Sequence, residues 1–260
     1  MRETLKDWAG RSLLSGRLRR LVLDRLRKEG ISFVRQFEDH AFAFTPGDFI
    51  GECLLSVGEY QRDLVEQTMK IVSPKRILEL GANIGTQTAY FFQYGAEHVT
   101  AVEPAPINLS QLHMNLKLNG LDGRVSVCAL AASSKTGSVQ FAQYRYNQGR
   151  SAIVNASVGD GEHDIISVPT ERAENLVDFI PDLIWIDVEE HEIEAMKGLG
   201  RLLGRPMLVE FSRQAMSDED FQWFVASVLP KYSRMRAYDN GFVEITESEL
   251  GRRQYNLLLT

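Results

Sequence analysis

Arg76-Ile77-Leu78-Glu79-Leu80-Gly81-Ala82-Asn83-Ile84-Gly85-Thr86 reads as a short apolar strand ending in a turn with two glycines. The turn opens a helix that runs from Gly85 to Tyr94 and stops at Gly95. Two glycines four residues apart allow a tight turn and let a ligand come close to the backbone.

Outward from this stretch, helix and strand alternate. Tyr60 to Val72 is the helix before it. His98 to Glu103 is a second strand, and Pro106 to Leu118 a helix with proline at its start and Asn119-Gly120 at its end. Val125 to Ala131 is a third strand. Segment 133–170 breaks the rhythm and reads as a hairpin or lid-like insertion. Then follow a helix from Glu171 to Phe179, a strand from Asp182 to Val188, a helix from Glu192 to Leu203, a strand from Met207 to Phe211 and a helix from Asp218 to Leu229. The tail holds three strand candidates, Arg234 to Tyr238, Phe242 to Ile245 and Tyr255 to Leu259, with no helix between them. Such alternation predicts an α/β fold: a doubly wound, mostly parallel seven-stranded sheet with an antiparallel edge. Residues 1–30 carry arginines and leucines at helical spacing, a basic amphipathic helix ending at Gly30. It is expected to pack on the main domain or on a second subunit as a homo-oligomer contact; a membrane surface or an acidic partner is the alternative.

The 260 residues are 44% hydrophobic and 25% charged, enough for one large α/β domain. The net charge of −6 argues against nucleic acid as the substrate. Cys53 and Cys128 show no metal-ligand spacing and read as buried thiols of a reducing compartment. No apolar run is long enough for a transmembrane segment, and the N-terminus lacks the apolar core of a signal peptide, so a cytoplasmic protein is expected.

Ligands of open α/β sheets sit beyond the carboxyl ends of the strands. Gly81-Ala82-Asn83-Ile84-Gly85-Thr86 is neither the Gly-x-Gly-x-x-Gly of dinucleotide binders nor a phosphate-cradling loop. Glu103-Pro104 closes the second strand, where an acid can accept both hydroxyls of a ribose. Cys128-Ala129-Leu130, at the end of the third, offers small apolar side chains to an adenine edge. Together these describe an adenosine site without phosphate recognition, which suits S-adenosylmethionine (SAM).

A second cluster follows the strand Leu183-Ile184-Trp185-Ile186: Asp187-Val188-Glu189-Glu190-His191-Glu192. Asp187 and Glu189 share a side if the strand continues. Glu210 closes the next strand, so acids gather at three strand ends, as in a functional cleft.

At this point the sequence resembles the FkbM family of SAM-dependent methyltransferases over roughly residues 50–215. The likeness rests on Glu79 through Gly85, Val102-Glu103-Pro104-Ala105-Pro106, Asn115 through Gly120, and Ile186 through Glu192. It departs where the family often has Asp-Val, here Glu79-Leu80, and where it often has glycine, here Glu190. The second departure is expected to add bulk and charge beside the acceptor pocket. The resemblance implies a Rossmann-like class I methyltransferase domain over 51–260, with residues 1–50 as an N-terminal helical extension. It implies methyl transfer to a hydroxyl of a small-molecule, sugar, glycan or natural-product acceptor. Cofactor contacts are then expected from Glu79, Gly81, Ala82, Asn83, Gly85, Thr86, Glu103, Pro104, Cys128, Ala129 and Asp187, with Tyr60 closing over the cofactor.

A hydroxyl acceptor needs a base, and His191 suits that role, with Asp187 and Glu189 orienting the histidine, the acceptor or the cofactor's methionine end. The bland alternatives are a solvent-facing His191 and an Asp187 that merely caps the next helix. A divalent cation held by Asp187, Glu189, His191 and Glu210 is a variant. Arg145, Tyr146, Asn147, Arg150 and Ser151, in the insertion, are candidates for acceptor contacts. The rival functions are a nicotinamide-dependent oxidoreductase and a non-catalytic protein of the same fold.

Overall fold

The structure, a computed structural model, describes residues 21, 22, 25, 26, 29, 31–144, 151–154, 163–251 and 254–260. The expected basic helix of residues 1–30 lies almost wholly outside the described residues, as do Arg145, Tyr146, Asn147 and Arg150. In chain order the elements are β1 (Phe33–Gln36), β2 (Ala41–Phe44), α1 (Phe49–Ser56), α2 (Arg62–Val72), β3 (Arg76–Leu80), α3 (Thr86–Gln93), β4 (His98–Val102), α4 (Pro106–Leu118), β5 (Val125–Cys128), β6 (Ala131–Ser133), β7 (Gly137–Tyr144), β8 (Ala152–Ile153), β9 (His163–Arg172), β10 (Leu183–Ile186), α5 (Glu192–Lys197), β11 (Met207–Ser212), α6 (Asp218–Trp223), β12 (Met235–Tyr238), β13 (Phe242–Glu244) and β14 (Gln254–Leu259).

The main sheet has the order β13-β12-β14-β11-β10-β3-β4-β5. It holds eight strands rather than the expected seven, because β13 folds back on β12 as a hairpin through Asp239-Asn240-Gly241. From β11 to β5 every pairing is parallel, and β14 inserts antiparallel between β11 and β12. The chain winds from β3 toward β5 and then restarts at β10, so the strand order reverses between β3 and β10. A crevice opens at such a reversal.

Alternating side chains of the strands feed two cores. Ile77 and Trp185 face α1 to α4, where Leu54, Val65, Phe91 and Leu112 are buried. Leu78, Leu80, Ile184 and Ile186 face the other way, against Met196, Leu199 and Phe224. Burial on both faces explains why these strands are apolar throughout.

Three expectations are corrected. The predicted boundary at residue 50 is not a boundary in packing: β1 and β2 form a hairpin, not a helix, and Phe42 and Phe44 are fully buried in the main core. Asn115 clamps Ala43 through both main-chain groups (2.6 and 3.1 Å), and Asn119 does the same for Ala41 (2.9 and 2.8 Å). The predicted helix Glu171 to Phe179 is the end of β9 followed by a single 3-10 turn, Ala173–Asn175. The third strand stops at Cys128, and after a kink β6 starts a second sheet of order β6-β9-β7-β8. The irregular insertion is therefore a small sheet with its own apolar contacts, Phe141 and Val168 against Ala105 and Ala131.

Candidate active site

The first glycine turn is built by main-chain contacts. Gly81 and Ala82 both donate to the Val102 carbonyl, Asp187 donates to that of Leu80, and Glu103 to that of Cys128. These bonds bring the carboxyl ends of β3, β4, β5 and β10 together. Gly81 has φ +92°, and a Cβ there would fall 1.7 Å from the Asp187 carbonyl oxygen. Gly85 has φ +83° and faces Leu112 of α4. The first glycine thus serves contact between turns as much as contact with a ligand.

A cavity of about 250 Å³ opens at these ends. Of the expected residues, Tyr60, Gly81, Asn83, Glu103, Pro104, Asp187, Glu189 and His191 line it. Glu79, Ala82, Gly85, Thr86, Cys128 and Ala129 do not. Glu79, Ala82 and Thr86 are buried beneath the turn, and Ala129 points to solvent. Of the stretch Cys128-Ala129-Leu130 only Leu130 lines the cavity, followed by Ala131 and Ala132. Sequence reasoning missed Phe49 and Ile50 of α1, Gln87, Asn108, and Phe141 and Ile153 of the second sheet. Asn108 had a signal: it lies five residues beyond Glu103, in the first turn of the helix that Pro106 opens. Ser151 lines the cavity and accepts a hydrogen bond from the Tyr144 amide at 3.1 Å.

Glu103 is held by the amides of Asn83 (2.9 Å) and Ala105 (2.8 Å) and by Asn108 Nδ2 (3.1 Å). Burial still pushes its carboxyl up to about 7. Glu79 receives the Thr88 hydroxyl at 2.5 Å and is pushed up to about 8 by burial. Asp187 hydrogen-bonds Glu210. Burial first, and then Glu210, Glu189 and Glu192, raise it well above the carboxylate range. Burial also raises Glu192 to about 7; its Oε1 accepts from the Val188 amide at 3.3 Å.

The strand does not continue to Glu189. It stops at Ile186, and Glu189 and Glu190 both take left-handed conformations, φ +50° and +65°. Asp187 and Glu189 share the cavity because the chain turns there, not because a strand alternates. Glu190 points to solvent and is not part of the cavity wall, contrary to expectation. The helix after it is capped by no side chain, so Asp187 is not a cap. His191 stands at its start, half-buried, with Nε2 3.1 Å from Ser133 Oγ on β6. Burial lowers its pKa from the ordinary 6.5. Among the described residues no group of three or more His, Cys, Asp or Glu is arranged to hold a metal ion.

Glu103, Asp187, Glu189 and Glu210 line the cavity, and among the described residues no lysine or arginine does. Such a wall repels a pyrophosphate and attracts a cation. SAM, with a sulfonium and an ammonium, matches it. Asn83 and Asn108 each keep a buried amide oxygen without a partner, which suits a nucleoside rich in donors. The residues present therefore fit the cofactor.

Solved structures similar to this chain include three methyltransferases. The methyltransferase FkbM from Methylobacillus flagellatus is 18% identical (TM-score 0.49), covering 72% of this chain; this chain spans 43% of that one's length. The O-methyltransferase from Bacillus cereus, in complex with SAH, is 11% identical (TM-score 0.45), over 99% of this chain and 100% of that one. The O-methyltransferase TomG from Streptomyces achromogenes, in complex with SAM, is 13% identical (TM-score 0.44), over 77% and 79%. At these TM-scores the likenesses carry no inference about activity or acceptor. No curated protein matches. The model of the methyltransferase FkbM domain matches residues 79–247, from the buried Glu79 to beyond β13. With that match over more than half its length, the chain belongs to the FkbM family of SAM-dependent methyltransferases.

Proposed function

We infer that this protein transfers a methyl group from SAM to a hydroxyl of an uncharged sugar, glycan or natural-product acceptor, with His191 as the base. The observation that supports it is the pairing, in one cavity, of a cation-attracting acidic wall with a single histidine. Bound SAM supplies an activated methyl carbon, so the protein's work is to align the acceptor, take its proton and exclude water.

Glu103 accepts from the ribose, and the wall of Leu130, Ala131 and Ala132 takes the base. Asp187, Glu189 and Glu210 favour the sulfonium and ammonium. Phe141 and Ile153 of the second sheet face the remaining space and form the apolar side of the acceptor site. His191, whose pKa is lowered by burial, has Nε2 engaged by Ser133; its Nδ1 would take the acceptor's proton as the oxygen–methyl bond forms and the methyl–sulfur bond breaks, leaving SAH. The acidic wall of Asp187, Glu189 and Glu210 disfavours phosphorylated or carboxylated acceptors at that side of the cavity.

The test is incubation with methyl-labelled SAM and a panel of neutral polyols, glycosides and phenols beside their phosphorylated counterparts. Label in the neutral series, lost in His191→Ala, supports the reading. Label only in amines or phosphorylated compounds overturns it.

A further inference from the structure

Tyr60 stands at the acidic end of the cavity, where Asp187, Glu210 and Glu189 act on its phenol and Glu103 does not figure. Burial and those acids raise its pKa, so the hydroxyl keeps its proton. That hydroxyl ends a directed chain of hydrogen bonds. The Thr86 hydroxyl donates to Gln87 Oε1 at 2.8 Å, Gln87 Nε2 donates to Gln61 Oε1 at 2.9 Å, and Gln61 Nε2 donates to the Tyr60 oxygen at 3.1 Å. Every link passes a donor toward Tyr60, so the Tyr60 oxygen serves the chain as an acceptor and its own proton is left over. Among the described residues no acceptor takes it. The ring is fixed from the other side by Phe49, edge-on at 5.9 Å.

A pre-aimed neutral donor among carboxyl groups has a specific use. The amino-acid half of the cofactor carries a carboxylate as well as an ammonium. The acids serve the ammonium, but among the described residues the wall offers the carboxylate no lysine or arginine. We propose that the Tyr60 hydroxyl donates to the cofactor's α-carboxylate, and that Gln61 and Gln87 are positioning residues that hold it in the donating orientation. Neither glutamine acts on the reaction; each acts through Tyr60. The inference rests on SAM being the cofactor.

Calorimetry separates the two. The probes are SAH, which keeps the amino-acid half, and 5′-methylthioadenosine, which lacks it. Tyr60→Phe and Gln87→Leu should each weaken SAH about tenfold, the scale of one lost hydrogen bond to a charged group. The double variant should be no weaker than Tyr60→Phe alone, because the relay has nothing left to aim. Affinity for 5′-methylthioadenosine should not change in any variant. Additive losses in the double variant, or equal losses with both probes, overturn the proposal. If Gln87→Leu melts early, Gln87→Met, closer in shape, is held to the same criteria. A wild-type protein that binds neither probe overturns the cofactor reading instead.

Discussion

The main-chain carbonyl of Asp187 occupies the space in which a side chain on Gly81 would begin, 1.7 Å from an ideal Cβ. Backbone cannot retreat as a side chain can, and φ +92° adds strain for any other residue. Gly81→Ala should therefore cost about 2–4 kcal/mol of stability and displace the Asp187 turn. Gly85→Ala should cost less, because the nearest atom there is the end of the Leu112 side chain, at 2.6 Å. Chemical denaturation of the two variants checks the order; equal losses would deny the contact its importance.

Glu79 makes stability fall as the solution becomes more alkaline. Its carboxyl ionises near 4.5 in the unfolded chain and near 8 in the folded one. Between those values the folded state holds a proton that the unfolded state lacks, so stability drops as pH rises through that window. Glu79→Gln removes the titration. It should raise the unfolding free energy by on the order of 3 kcal/mol at pH 8 and leave it little changed at pH 4.5. Melting curves across that range measure it.

Cofactor affinity should rise with pH up to about 7, the value to which burial pushes Glu103. Ribose hydroxyls donate, so they bind the ionised carboxylate better than the acid. Below the midpoint each pH unit should weaken SAH up to tenfold, and above it the affinity should level off. In Glu103→Gln that slope should vanish, with weaker binding throughout. Calorimetry at pH 6, 7 and 8 is sufficient, and an unchanged slope in the variant would remove Glu103 from the ribose.

His191→Ala should lower turnover about 10²- to 10⁴-fold while leaving SAH affinity near wild type, the mark of a group that moves a proton rather than one that binds the cofactor. In the wild type the acid limb of kcat/KM should lie below the ordinary histidine value of 6.5, since burial lowers this ring's pKa. A full loss of SAH binding in the variant would place the histidine in the cofactor site instead.

At Glu190 the family often has glycine, and the structure shows what is at stake there: φ +65° on an exposed side chain. Glu190→Gly should relax the turn and raise stability by about 0.5–1 kcal/mol, with no change in cofactor affinity. A destabilised variant would show that the glutamate's own interactions outweigh its strain.

Much of this was legible in the sequence because the signals were local. The strand Arg76–Leu80 and the helix Pro106–Leu118 stand where apolar runs, the proline and the Asn119-Gly120 pair place them. Glu103 was legible as a cavity residue because it stands at a strand end. Residues 171–179 misled: Ala173, Leu176, Val177 and Phe179 mimic a helical stripe, yet β9 runs on through Arg172 to pair with Ser133. That pairing is long-range and leaves no local trace. Asn115 and Asn119 look like ordinary helix residues, and only the folded chain shows that they grip β2. The wall of Phe141 and Ile153 depends on how a second sheet folds over the first, which spacing does not encode.

Ser133 closes β6, holds the His191 ring, and has its carbonyl pressed against Gly198, where a Cβ would fall 2.1 Å away. The proposed proton acceptor is thereby moored to one edge strand of the small sheet, while Phe141 and Ile153 belong to β7 and β8 on its other side. On the proposed reading, chemistry and selectivity are carried by opposite sides of one sheet. A lineage can exchange that other side, and with it the molecule it modifies, without disturbing the mooring of the histidine.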